Sequence, residues 1–254
     1  MCGIAGGFVF SGENTVKAGL IENAVAALKH RGPDFFSAKT FKSAVLGHAR
    51  LSIIDTSSSS NQPFTDSSGN FHIVFNGEIF NYKQLRTELE AEGIKFRTNG
   101  DVEVLLELYK KYGNNCFEKI KGFFAAGIYN ENDHSLFVVR DRFGVKPLYY
   151  FADEKRFFFA SEIRSLLCFD IDVKADRDSL NQYLQLNYIP GSNSIFSEIK
   201  KIPPGHFVQL SGGKMTSGKY YDLHSEISKE KKSVAASPEK HLRNLLQESV
   251  NDRL

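Results

Sequence analysis

The sequence predicts an α+β fold in which antiparallel sheets are covered by helices. Three observations carry this. The chain contains many short apolar runs bounded by turn residues, which is how strands read in a sequence. Its helical stretches fall in two groups and do not alternate one for one with the strands, as a doubly wound parallel sheet would require. Two of the runs, Phe123–Tyr129 and Leu136–Arg140, flank the polar segment Asn130–His134 and read as a hairpin. With 254 residues, the chain suits one large domain, or one domain plus a piece of another, around a sizeable core.

The elements follow in order. Gly3–Phe10 is apolar and Gly-rich and reads as a strand starting at the terminus. Val16–Lys29 has helical spacing, with Leu20, Ile21, Ala24, Val25 and Leu28 on one side. Ala44–His48, Leu51–Ile54 and Phe71–Phe75 are strand candidates, and Ser57–Asn61 is a polar loop. Asn81 can cap a helix running through Glu92 to Gly93, and Asp101 a second one, Val102–Tyr112, ending at Gly113. After the hairpin, Phe157–Ala160 is a strand, and Leu180–Leu186 lies in a short helix starting near Asp176 or Asp178. Residues 225–236 are charged and weakly apolar and read as a linker. Ser237-Pro238 opens a last helix, whose Leu242, Leu245, Leu246, Val250 and Leu254 form an apolar stripe. The stripe suits docking either on its own domain or on another unit.

An apolar fraction of 41% beside 24% charged residues is that of a soluble globular protein. A net charge of +2 with no long basic run gives no reason to expect nucleic acid. No stretch approaches the roughly 18 apolar residues of a membrane span, and the start carries neither a secretory nor a myristoylation pattern. Cys2, Cys116 and Cys168 are far apart and odd in number, unlike a zinc site or a disulfide framework, so a reducing cytoplasm is the natural setting. Cys116 and Cys168 read as packed thiols. The seven histidines show no ligand spacing, and no metal is expected.

Chemistry concentrates at the N-terminus. Met followed by a small residue is usually processed, and removal of Met1 gives Cys2 both a thiol and a free α-amine. A thiol titrates near ~8.5 and an α-amine near ~7.7–8.0, so the amine can be neutral, accept the thiol proton and pass it to a leaving amine. By itself Met-Cys-Gly is weak, since an ordinary buried cysteine is the common alternative.

The wider pattern strengthens it. CGIAGGF from residue 2, HRGPD at 30–34, GHARLSIID at 47–55, FNGEIFNY at 75–82, GDVE at 100–103, RDRFGVKPLYY at 140–150 and FASEI at 159–163 occur in this order. Together they resemble the glutamine amidotransferase domain of asparagine synthetases, whose nucleophile is an N-terminal cysteine. The resemblance runs from Cys2 to about Leu223. It implies the N-terminal-nucleophile hydrolase fold, a four-layer αββα sandwich of two antiparallel sheets between helical layers.

It also implies roles. Cys2 attacks the amide of glutamine. Asn76 and the Gly77 N–H hold the oxyanion, a task worth ~3–4 kcal/mol per donor. On its own Asn76-Gly77 would read as a tight turn. Arg50 pairs with the substrate α-carboxylate, for which its planar fork is suited. Glu78 and Asp101 receive the α-ammonium, although Asp101 is also the helix cap proposed above. Asn99-Gly100 precedes Asp101 where relatives usually carry a hydroxyl residue. The Arg31–Asp34 loop is expected to lie over the site, or else to be a structural turn. Asp141, Arg142, Lys146 and Pro147 are expected to hold a turn.

The second domain of asparagine synthetases uses ATP and magnesium and carries a Ser-Gly-Gly-x-Asp-Ser loop. Here Ser211-Gly212-Gly213 is followed by Lys214-Met215-Thr216, so it reads as a turn. The resemblance therefore implies a glutaminase domain over 2–223, a linker over 224–236, and over 237–254 the first helix of a synthetase domain cut before its ATP loop. No cofactor is expected in this chain. The expected partners are glutamine and a synthetase domain or subunit that receives ammonia, with homodimer formation allowed. Aspartate is the default acceptor. A ligase acting on another acid, such as a sugar acid, and a non-catalytic glutamine-binding module are the alternatives.

Overall fold

The computed structural model describes residues 1–10, 16–230 and 237–253. The first half of the chain runs β1 (Gly3–Val9), α1 (Ala18–Ala26), β2 (Phe35–Thr40), β3 (Ala44–Arg50), β4 (Phe64–Thr65), β5 (Phe71–Ile79), α2 (Tyr82–Ala91), α3 (Asp101–Tyr112) and α4 (Cys116–Lys119). The second half runs β6 (Gly122–Asn130), β7 (Ser135–Arg140), β8 (Tyr149–Ala152), β9 (Arg156–Ala160), α5 (Ile163–Leu166), α6 (Arg177–Leu186), β10 (Ile199–Lys201), β11 (His206–Ser211), β12 (Lys214–Lys219), α7 (Leu223–Glu230) and α8 (Pro238–Asn251). One sheet has the order β10-β8-β9-β1-β3-β2 and the other β12-β11-β7-β6-β5-β4. Every strand pair is antiparallel.

Side-chain alternation along the strands sorts the core into three slabs. Ile4, Phe8, Leu46, Phe157 and Phe159 of the first sheet meet Val74, Tyr129, Leu136 and Val138 of the second, filling the space between the sheets. The neighbours of opposite parity, Ala5, Val9, Val45, Phe158 and Ala160, face α1 and α5 through Ile21, Ala24, Val25, Leu28 and Leu166. On the far side Ile73, Phe75, Ile79, Phe124 and Phe137 pack under α2 and α3 through Leu85, Leu89, Val104, Leu105 and Leu108. The result is the four-layer αββα sandwich. The Phe159 ring occupies a slot between the sheets that only glycine leaves open. A Cβ on Gly6 would stand 2.4 Å from the ring, and one on Gly127 2.5 Å. A buried Phe side chain contributes about 1.5–3 kcal/mol, so these two glycines are set by packing, not by a turn.

Several expectations need correction. Leu51–Ile54 is not a strand. The flanking strands stop at Gly3↔Ala49 and Phe35↔Arg50, so the run has no edge to pair with, and the Leu51 peptide turns to the Cys2 sulfur instead. Asn76-Gly77, which in isolation would read as a tight turn and which the motifs around it assign to the site, lies inside β5. Asn81 stands at the N-cap of α2 without capping it, because its amide bridges Lys119 O and Lys121 N at 3.0 and 2.9 Å. Asp101 is the first residue of α3, not its cap. The carboxylate that ties the preceding loop to this helix is Glu103, which accepts from Thr98 N and Thr98 Oγ1, both at 2.7 Å. Strands β2, β4, β8 and β10 were not anticipated.

Other readings match what is observed. The β6–β7 hairpin pairs Asn130 with Ser135. Gly212 and Gly213 turn β11 into β12 with φ of 56° and 73°. Asp176 caps α6 by accepting from Asp178 N. Asp141 accepts from the N–H groups of Phe143, Val145 and Lys146 and so holds the turn expected there. The stretch read as a linker departs from that reading: its residues 224–230 are helical within α7 (Leu223–Glu230), while residues 231–236 lie outside the described residues, as does Leu254. Helix α8 begins with Pro238 in its first turn, as expected. Leu242, Leu246 and Val250 on it are more than half exposed, while Arg253 stacks over Phe80 and Phe123.

Candidate active site

Strand parity brings the site together. On β3, Leu46 points between the sheets, so His48 and Arg50 do too. On β1, Ile4 points the same way, which aims Cys2 into the same gap from just before the strand. On β5, Val74 faces the gap, so Asn76 and Glu78 face it from the other sheet. All six residues singled out in the sequence, Cys2, Arg50, Asn76, Gly77, Glu78 and Asp101, line one cavity at this end of the sandwich.

Cys2 is held on both sides of its peptide. Its sulfur lies between Leu51 N at 3.4 Å and Leu51 O at 3.5 Å. Its carbonyl accepts from Arg31 Nε at 2.9 Å, and Arg31 in turn pairs with Glu162 at 2.9 Å. The Arg31–Asp34 loop thus fastens the nucleophile's strand, and Asp34 also accepts from Ser52 N at 2.8 Å. Burial raises the Cys2 thiol above its usual value, against the opposing pull of the Leu51 N–H, the terminal ammonium and Arg50, while Asp101 adds to the rise. A thiol so placed is protonated at neutral pH and needs a base before it can attack.

Strand β4 is only two residues long and pairs with β5 at Ile73 and His72, so among the described residues the rest of that edge of β5 has no strand beside it. Phe75 N–H is accepted by Gln62 Oε1 at 2.6 Å, and Ile79 N–H by Asp101 Oδ2 at 3.0 Å. Phe80 N–H points the other way, to Lys121 O on the β6 side. Backbone polar groups alternate along a strand. The Gly77 N–H therefore faces the same edge as those of Phe75 and Ile79, between them and toward the cavity. Beside it, Asn76 Nδ2 is buried and has no hydrogen-bond partner. A buried amide donor left unmade costs about 1–3 kcal/mol, so its presence asks for an acceptor that the described residues do not supply. A Cβ at residue 77 would stand 2.4 Å from Phe123 O and 2.6 Å from Phe124 Cα, so only glycine fits.

Arg50 is almost fully buried. Its Nη1 donates to Ser57 O at 2.8 Å and Asn61 Oδ1 at 2.5 Å, and its Nη2 to Asp55 O. Three of about five guanidinium donors are thus spent on the 51–61 loop, which leaves two, the number a carboxylate takes. Asp55 closes that loop by accepting from Ser57 Oγ, Ser57 N, Asn99 N and Ser60 Oγ, and these bonds, the Ser57 hydroxyl foremost, hold its carboxyl far below the usual range. Asp101 is 5% exposed; burial raises its carboxyl to about 6 despite the Ile79 N–H, and the Glu78 charge adds to the rise. Two carboxyls crowded in this way favour a cation between them.

The sequence pattern missed Gln62, Asp55 and Lys146 among the lining residues. Gln62 sits in a polar loop where no periodicity marks it, and its contact with Phe75 exists only after folding. Among the described residues, no cluster of His, Cys, Asp and Glu is placed to hold a metal ion, and no helix is long and apolar enough to cross a membrane.

Residues 1–221 match the family described as the glutamine amidotransferase domain. Among similar proteins, asparagine synthetase [glutamine-hydrolyzing] 1 of Bacillus subtilis is 35% identical across 99% of this chain and 40% of its own length. Asparagine synthetase [glutamine-hydrolyzing] 3 of the same organism is 32% identical, and a putative asparagine synthetase of Methanocaldococcus jannaschii is 33% identical. The chain spans about 40% of the first two relatives and 46% of the third. Among solved structures, the glutamine phosphoribosylpyrophosphate amidotransferase from Bacillus subtilis superimposes with a TM-score of 0.63 at 20% identity, over 87% of this chain and 49% of that one, a likeness of fold. The two-sheet architecture, the cavity at its end and the match over 221 residues agree, and this chain belongs to the glutamine amidotransferase domain family.

Proposed function

We propose that this chain hydrolyses the side-chain amide of glutamine to glutamate and ammonia through Cys2, and that the ammonia feeds an ATP-dependent synthetase domain making asparagine from aspartate. The observation that carries this reading is the unpartnered, buried Asn76 Nδ2 in the cavity that also holds the Cys2 thiol. Cleavage of the Met1–Cys2 bond frees the Cys2 amine, which takes the thiol proton. The sulfur adds to the amide carbon, a C–S bond forms, and the oxygen becomes an anion held by Asn76 Nδ2 and the Gly77 N–H. Collapse breaks the C–N bond, and the proton leaves with ammonia. Water then cleaves the thioester, giving glutamate and the free thiol. The two remaining Arg50 donors receive the α-carboxylate, and Glu78 and Asp101 the α-ammonium.

ATP and magnesium belong to the synthetase domain and not to residues 2–223, the glutaminase unit. Residues 237–254 would begin the synthetase unit. A reducing cytoplasm keeps Cys2 reduced, in keeping with three free cysteines. The test is glutamate release from glutamine by the purified protein, beside Cys2→Ala, with the mass of the N-terminus measured on the same sample. Protein lacking Met1 is expected to release glutamate and Cys2→Ala is not. Equal rates would sink the Cys2 mechanism.

A further inference from the structure

The peptide group just before the two proposed oxyanion donors is secured in an unusual way. Phe75 lies two residues past Ile73, where the pairing with β4 ends, on the edge of β5 that no strand covers among the described residues. In an ordinary ladder a neighbouring strand would take both of its polar atoms. Here two buried side chains do so. Gln62 Oε1 accepts the Phe75 N–H at 2.6 Å, reaching in from the loop that precedes β4. His48 Nε2 donates to the Phe75 carbonyl at 3.1 Å, reaching across from β3 of the opposite sheet. A carbonyl only accepts, so this nitrogen carries the ring proton. The ring is wholly buried, and burial lowers its pKa to about 3, which keeps it neutral. Neither residue has a part in the attack, the proton transfer or the glutamine contacts described above.

We propose that Gln62 and His48 are positioning residues for amide hydrolysis. By fixing the Phe75 peptide from both of its polar atoms, they set where Asn76 Nδ2 and the Gly77 N–H stand. His48 also ties β5 to β3, two residues before Arg50, so the oxyanion donors and the carboxylate clamp keep a constant separation. This inference rests on the proposed glutaminase reaction. Misplacing donors by a fraction of an ångström acts on the transition state and leaves ground-state binding nearly alone.

The experiment compares purified wild type with Gln62→Met, His48→Leu and the double variant, and with His48→Gln, whose amide restores a donor near the Nε2 position. Each single variant is expected to lower kcat for glutamine by ~10–100-fold, with KM within about threefold of wild type. The aldehyde analogue of glutamine, which forms a tetrahedral adduct on the thiol, should lose affinity by the same factor as kcat/KM, while affinity for glutamate stays. Alkylation of Cys2 by iodoacetamide, which needs no oxyanion donor, should keep its wild-type rate. Because both side chains act on one peptide, the double variant should be little worse than the poorer single, and His48→Gln should recover most of the loss. Should His48→Leu fail to fold, His48→Asn, too short to reach the carbonyl, takes its place. Unchanged kcat in both singles overturns the inference, as does an equal fall in alkylation rate and glutamate affinity, which would mean general loosening. A wild type lacking Met1 that releases no glutamate overturns the proposed reaction, and this inference with it.

Discussion

Asp101 offers the sharpest test of the electrostatics, because burial makes it costly in the empty site and valuable in the occupied one. Its carboxyl is raised from 3.8 to about 6, chiefly by burial. At about 1.4 kcal/mol per pH unit, that is a penalty of about 3 kcal/mol on the charged native form. The sign follows from linkage. Below pH 3.8 the carboxyl is protonated in both the folded and unfolded states and costs nothing. Between 3.8 and 6 the unfolded chain ionises while the folded one resists, so native stability falls as pH rises. Above 6 the full penalty applies.

Asp101→Asn keeps an oxygen to accept the Ile79 N–H and removes the charge. Urea unfolding should therefore show this variant more stable than wild type at pH 8, by up to about 3 kcal/mol, and no more stable at pH 3.5. In the same variant KM for glutamine should rise, since one of the two carboxylates proposed to receive the α-ammonium is gone. Gains that are equal at the two pH values, or a variant less stable at pH 8, would refute the reasoning that burial of charge governs this residue.

Other substitutions read other parts of the site. Asn76→Ala should lower kcat by ~10²–10³-fold with little change in KM, measured by steady-state glutamate release. Arg50→Lys offers a single ammonium in place of a planar fork that holds three loop oxygens, so KM for glutamine should rise by about 10–100-fold; proteolysis should cut the 51–61 loop sooner than in wild type. Gly77→Ala drives a methyl against the Phe123 carbonyl and should destabilise by about 1–3 kcal/mol, seen as a lower Tm even without substrate.

How much was legible beforehand depends on whether a feature is local. The β6–β7 hairpin, the C-terminal end of α3 and the start of α6 were readable because their signals lie within a few residues: an apolar run, a turn, a glycine, a cap. Strands β2 and β10 were not, since FFSAKT and IKK lack the apolar alternation of a half-buried strand and are strands because β3 and β8 offer them an edge. Leu51–Ile54 failed the opposite way, having strand composition and no edge. The six site residues came from ordered motifs. What spacing could not convey is that Asp101 leaves loop tethering to Glu103, or that Gln62, 13 residues from Phe75 in sequence, finishes its hydrogen bonding.

The two-residue length of β4 has a consequence for what can enter the cavity. An exposed sheet edge is normally a template on which a foreign polypeptide can add as another strand, and many peptide-binding sites work by that augmentation. Beyond β4, the edge of β5 is stoppered at Phe75 by Gln62 and His48 and at Ile79 by Asp101. One N–H, at Gly77, stays available between the stoppers. An extended peptide needs a run of alternating donors and acceptors to dock, and here it finds a single donor. A lone carbonyl oxygen at the end of a flexible side chain fits where a main chain does not. The edge that would invite proteolysis or aggregation in another sandwich is narrowed here to the N–H and C=O of one residue, Gly77.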